Sequence, residues 1–230
     1  MDEKEFLRLS KLDAEGPAEP PSSGLKPKVS ELTRKLLVFI KFVLGVCLLP
    51  CVYAITAAFL KQFGLIDISI QNYFWQGIIT LLIIYLFVWE PAIVYSKGQK
   101  IVELLFNFFK PLVRVAPYLL PIYTILLVAV YAVLSWFYKD LLGYFVFMFG
   151  FTLALHLIFS ARTLRAKKED FLKTNYIFGF SLVFIINLAL LAFFINMMFD
   201  KFSFVEFCND AVRVSRGIFE AAFTQLFINK

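Results

Sequence analysis

Tyr176–Phe199 reads YIFGFSLVFIINLALLAFFINMMF, a run without a single charged side chain. At about 1.5 Å of rise per helical residue, it exceeds the roughly 20 residues that cross a hydrocarbon core. Working outward from it, four more stretches meet or nearly meet that length: Lys35–Leu60, Tyr73–Tyr95, Tyr118–Phe137 and Tyr144–Ala161. Hydrophobic residues make up 60% of the chain and charged residues 17%. Once a core is filled, too few polar side chains remain to coat a water-soluble domain. The 29 phenylalanines suit lipid-facing and interhelical packing. The fold class this predicts is an all-α integral membrane protein with five transmembrane helices, joined by two amphipathic interfacial helices described below.

The flanks of these runs predict their direction. Lys26, Lys28, Arg34 and Lys35 precede the first, while the next loop, residues 61–72, has Lys61 and Asp67. Lys97, Lys100, Lys110 and Arg114 follow the second, and Lys139 beside Asp140 follows the third. Arg162, Arg165, Lys167, Lys168 and Lys173 follow the fourth. Basic loops stay on the cytoplasmic side, so the N-terminus is expected inside and the C-terminus outside, in a bacterial inner membrane or a eukaryotic endomembrane. The net charge of +6 is spread over these flanks rather than gathered into one patch. That distribution suits anionic lipid at the cytoplasmic face and argues against nucleic acid.

Residues 1–30 are a different material. The Pro-, Gly- and Ser-rich run Gly16–Gly24 buries too little to offset its ordering entropy, so a disordered cytoplasmic tail is expected there. No apolar run stands at the extreme N-terminus, and the first span is expected to serve as its own insertion signal. Within the membrane domain, residues 31–202, the segment 98–115 has Ile101, Leu104, Leu105, Phe108 and Leu112 at helical spacing, with Lys100, Glu103, Asn107, Lys110 and Arg114 opposite. A helix of that pattern lies in the interface plane. Residues 203–230 repeat the design on the outer face. Phe204, Phe207, Phe219 and Phe223 belong to one stripe, and Glu206, Asp210, Arg213, Arg216 and Glu220 to another.

Polar groups inside spans are functional candidates, because leaving them unpaired in lipid is costly. Lys41, Glu90 and His156 fall at similar depth near the inner face and form a candidate polar layer for protons or ions. Each also has a structural reading: Lys41 by snorkelling, Glu90 by accepting a hydrogen bond at a bend before Pro91, and His156 by hydrogen bonding to a neighbouring helix. Asn187, near the middle of the last span, reads as interhelical glue. Trp75, Trp89, Trp136, Tyr138 and Tyr144 stand near span ends as interfacial anchors. With three cysteines, one histidine and no recognisable catalytic motif, no metal, no cofactor and no enzymatic activity are expected. Cys47 and Cys51 share a helix face, a poor geometry for a disulfide.

The expected function is a non-enzymatic membrane subunit that anchors or scaffolds a larger complex, through other membrane subunits or self-association. Its two amphipathic helices, in contact with lipid or a partner, would do the work. The alternatives are a channel or transporter component using Lys41, Glu90 and His156, and a lipid-handling or membrane-shaping protein.

Overall fold

The computed structural model describes residues 25–88, 92–105, 116–138, 141–165 and 175–227. Glu90, Phe108 and Leu112 lie outside the described residues, as does the tail before Leu25. Every regular element among those described is helical: α1 (Leu25–Phe63), α2 (Ile68–Ile83), α3 (Ala92–Leu105), α4 (Ala116–Leu119), α5 (Ile122–Leu134), α6 (Leu142–Arg165), α7 (Tyr176–Met198) and α8 (Phe204–Phe227). The chain separates into two units at Phe39/Ile40. The described part of the first is the opening stretch of α1, with Leu36, Leu37, Val38 and Phe39 exposed. The bundle belongs to the second.

Four helices are long and apolar enough to cross a membrane: Lys35–Phe63 of α1, Ile68–Phe87, α6 and α7. The expected third span is instead two pieces, α4 and the 13-residue α5, interrupted at Leu120 and Pro121. Helix α1 starts at Leu25, inside the stretch expected to be irregular, and Pro27 occupies its first turn, where a missing N–H costs nothing. The second span starts earlier than expected, at Ile68, and closes in a π-helical turn, Ile84–Val88. Tyr95 therefore belongs not to that span but to α3, which begins at Ala92 rather than 98.

The tightest pair is α2 with α6, and glycine makes it possible. A Cβ on Gly77 would overlap the Phe147 carbonyl oxygen, and one on Gly150 would overlap that of Phe74. Small residues let backbones approach where lipid tails supply no hydrophobic drive between helices. Contacts advance together along both helices, from Gly143 under the Tyr73 ring to the Tyr85 and Phe159 rings, 5.8 Å apart. The two helices thus run parallel, and the chain between them has to double back. Helix α5 runs the opposite way beside α6: Thr124 meets Thr152 at 3.0 Å, and further along Tyr131 meets Phe145 at 5.0 Å between ring centroids.

Helix α7 starts where α6 ends, with the Arg165 guanidinium 5.0 Å over the Tyr176 ring. Asn175 caps it by accepting from the Phe178 N–H, filling one of the orphan donors of the first turn. An aromatic cluster closes the far end of the bundle. Phe59, Phe63, Phe74 and Phe202 interlock with centroids 5.0–6.3 Å apart, and Phe207 extends the cluster from α8.

Candidate functional sites: a helix break and a clamped amphipathic helix

The break between α4 and α5 explains two of the intramembrane polar residues. Pro121 has no N–H, and the Ile122 N–H turns back to Leu120. The carbonyls of Tyr118 and Leu119 are then met by side chains of neighbouring helices. His156 Nε2 on α6 lies 3.0 Å from the Tyr118 oxygen, and Asn187 Nδ2 on α7 donates to the Leu119 oxygen at 3.0 Å. A broken helix at membrane depth is tolerated where such groups satisfy the freed backbone.

The carbonyl assigns the donors. It has lone pairs only, so His156 carries a proton on Nε2. Ser160 Oγ donates to the same carbonyl at 3.4 Å; it lies 3.0 Å from the Tyr95 hydroxyl, to which Gln99 Nε2 donates at 2.9 Å. The chain of donors therefore runs Gln99, Tyr95, Ser160, and ends on Tyr118 with His156 beside it. Asn187 donates a second time, to Val183 at 2.8 Å. Both its partners are carbonyls, which sets the amide orientation and leaves the fully buried Oδ1 without a partner among the described residues.

Beside this chain lies a small cavity, lined in part by Tyr95, Gln99, Thr152 and His156, with about 10 Å³ open to the centre of a water. That is room for about one water molecule. Lys41 is buried as well, but the hydrogen bonds of His156 go to Tyr118 and Ser160 rather than to it. Of the expected polar layer, Lys41 and His156 are not joined, and Glu90 lies outside the described residues.

The stripe expected on the first amphipathic helix divides. Tyr95, Gly98 and Val102 of α3 face the bundle, while Ile101, Leu104 and Leu105 are exposed. Helix α8 divides more sharply. Ser203 Oγ accepts from the Glu206 N–H and Asn196 Oδ1 accepts from the Phe204 N–H, so both sides of the junction hold its first turn. Ser203 with Glu206 three residues on is the spacing of a capping box, a signal that sequence reading missed. Phe207, expected on a partner surface, is instead buried in the aromatic cluster, and Phe204 is half-buried against it.

Asp210, expected in the charged stripe, is instead buried and bonded to Lys61 at 2.8 Å, with Arg213 at 3.3 Å. The Lys61 hydrogen bond, reinforced by both cations, holds its carboxyl below the usual carboxylate range. Lys201 and Asp67 pair beside the same junction at 2.8 Å. From there α8 runs back along α1, bringing Ser215 Oγ to 3.3 Å from Cys51 Sγ. Phe219 and Phe223 stay exposed, as do Val205, Val212, Leu226 and Phe227.

Among the described residues no group of histidine, cysteine, aspartate or glutamate is arranged to hold a metal ion. No family model, curated protein or solved structure matches the chain.

Proposed function

We propose that this protein is a non-enzymatic membrane subunit that anchors or scaffolds a larger assembly through α8. The observation that carries this reading is the contrast between the two halves of that helix. Its start is held by Ser203, Asn196, Lys61 and the aromatic cluster, whereas Phe219, Phe223, Leu226 and Phe227 are exposed at helical spacing. A rigidly presented apolar stripe is the usual form of a helix that docks into a groove. His156 and Asn187 support the same reading from the other side. Their donors are occupied at the helix break, which makes them bundle glue rather than a conduction path.

The reading has five crossings, with the N-terminus inside and the C-terminus outside. The alternation of basic flanks supports the direction, and the parallel run of α2 and α6 supports a return crossing by α4 and α5. Copurification in mild detergent with identification of the associated chains tests the function. Phe223→Gln with Leu226→Gln is expected to remove those chains while leaving expression and detergent stability unchanged. Unaltered association in a folded double variant would defeat the proposal.

A further inference from the structure

The small cavity beside the helix break has a one-sided lining. Its polar walls are Tyr95 and Gln99 of α3, Tyr123 of α5, and Thr152 and His156 of α6. Most of their protons are committed elsewhere. The Tyr123 hydroxyl donates to the Val94 carbonyl, Thr152 Oγ1 to that of Met148 at 2.9 Å, and His156 Nε2 to that of Tyr118. Tyr95 donates to Ser160 while accepting from Gln99. What remains is lone pairs. The hydrogen bonds of His156 and of Gln99 all run through their Nε2 atoms, so among the described residues His156 Nδ1 and Gln99 Oε1 have no partner. His156 is only 6% exposed, and a buried acceptor left without a donor is costly.

We propose that this cavity binds one water molecule, which donates one hydrogen to His156 Nδ1 and the other to Gln99 Oε1. Size and chemistry select this occupant together. About 10 Å³ open to the centre of a water admits a single one, and two polar partners are enough to hold it. An anion would meet lone pairs here. A hard cation takes about six oxygens, more than these side chains supply. Water brings two donors to a site that is short of them. Gly98 forms the wall, because a Cβ there would stand 2.7 Å from the Tyr123 ring. Its absence lets α3 lie against α5 and carry Gln99 to the cavity. With water on Nδ1 and the Tyr118 carbonyl on Nε2, the imidazole is fixed at both nitrogens. The break is then held from α3 as well as from α6 and α7. The inference does not depend on the scaffold role of α8.

Solid-state NMR of the full chain in lipid, with histidine labelled in carbon and nitrogen, reads one imidazole because His156 is the only histidine. The expected spectrum has a proton on Nε2, none on Nδ1, and a correlation from Nδ1 to a water proton. Val102→Ile adds one carbon at a fully buried position in the cavity wall. It should abolish the water correlation and leave the Nε2 proton in place, which also verifies that the break is still assembled. Gln99→Met removes the second acceptor from a half-buried position and should weaken the correlation. A proton on Nδ1 of the unaltered chain, or a bare Nδ1 without a water correlation, overturns the proposal whatever the variants do. A correlation of unchanged strength in Gln99→Met, or in Val102→Ile with the Nε2 proton retained, overturns it too.

Discussion

At the scale of single residues, the pair to test is His156 and Asn187. Each meets a carbonyl left over by the α4–α5 break; removing Asn187 takes this donor from the Leu119 carbonyl, whereas without His156 the Tyr118 carbonyl still accepts from Ser160 at 3.4 Å. In water-soluble proteins a buried acceptor left without its donor costs about 1–3 kcal/mol. Membrane hydrogen bonds average nearer ~0.6 kcal/mol because the unfolded reference also finds partners. Asn187→Ala is therefore expected to destabilise by about 0.5–2 kcal/mol, read from unfolding of the full chain in mixed micelles. His156→Ala should cost more, since it also removes a buried ring packed 5.9 Å from that of Tyr95. The two carbonyls are adjacent, so the double variant should depart from additivity by about 0.5 kcal/mol or more. A channel or transporter would respond differently: His156→Ala would abolish flux in reconstituted vesicles and leave stability alone.

At the scale of elements, glycine has opposite meanings in two places. Gly77→Ala or Gly150→Ala drives a methyl into a backbone carbonyl of the facing helix. Separating α2 from α6 should cost about 1–3 kcal/mol, as other overpacked contacts do. Nothing lies near the Cβ position of Gly217 on α8, so Gly217→Ala should raise stability by about 0.4–1 kcal/mol through the unfolded chain's lost freedom. The α8 clamp also has a pH signature. Lys61 depresses the Asp210 pKa in the folded state, so the clamp contributes fully above the ordinary carboxylate range and fades as pH falls through the folded value. A spin-label pair on Tyr53→Cys and Phe219→Cys, with the native cysteines replaced by serine, should hold one distance from pH 8 down to pH 5 and broaden only in stronger acid. Asp210→Asn should show the broadened distribution throughout.

At the scale of the whole molecule, what was legible in the sequence was what depends on local composition. Tyr176–Met198 of α7 and Leu142–Arg165 of α6 are unbroken helices that contain the long apolar runs Tyr176–Phe199 and Tyr144–Ala161 of the sequence almost whole, so length and composition were enough to place them. The break in the third expected span was hidden. Prolines early in a span are ordinarily tolerated, and the groups that stabilise this break come from 38 and 68 residues away. Distance in sequence likewise hid the burial of Asp210, whose Lys61 partner is 149 residues distant. The crossing by α4 and α5 is where local and global readings meet. Helix α5 has only 13 residues, yet parallel α2 and α6 require the chain to come back between them. Labelling with a membrane-impermeant maleimide separates the outcomes, using single cysteines at Leu65, Ser96 and Tyr138, all exposed, in a background without the native three. A return crossing places Leu65→Cys and Tyr138→Cys on one side and Ser96→Cys on the other. If Ser96→Cys and Tyr138→Cys react from the same side, α4 and α5 dip into the membrane and re-emerge. Helix α6 would then have to enter from the face opposite to α2, against the parallel contacts from Tyr73–Gly143 to Tyr85–Phe159.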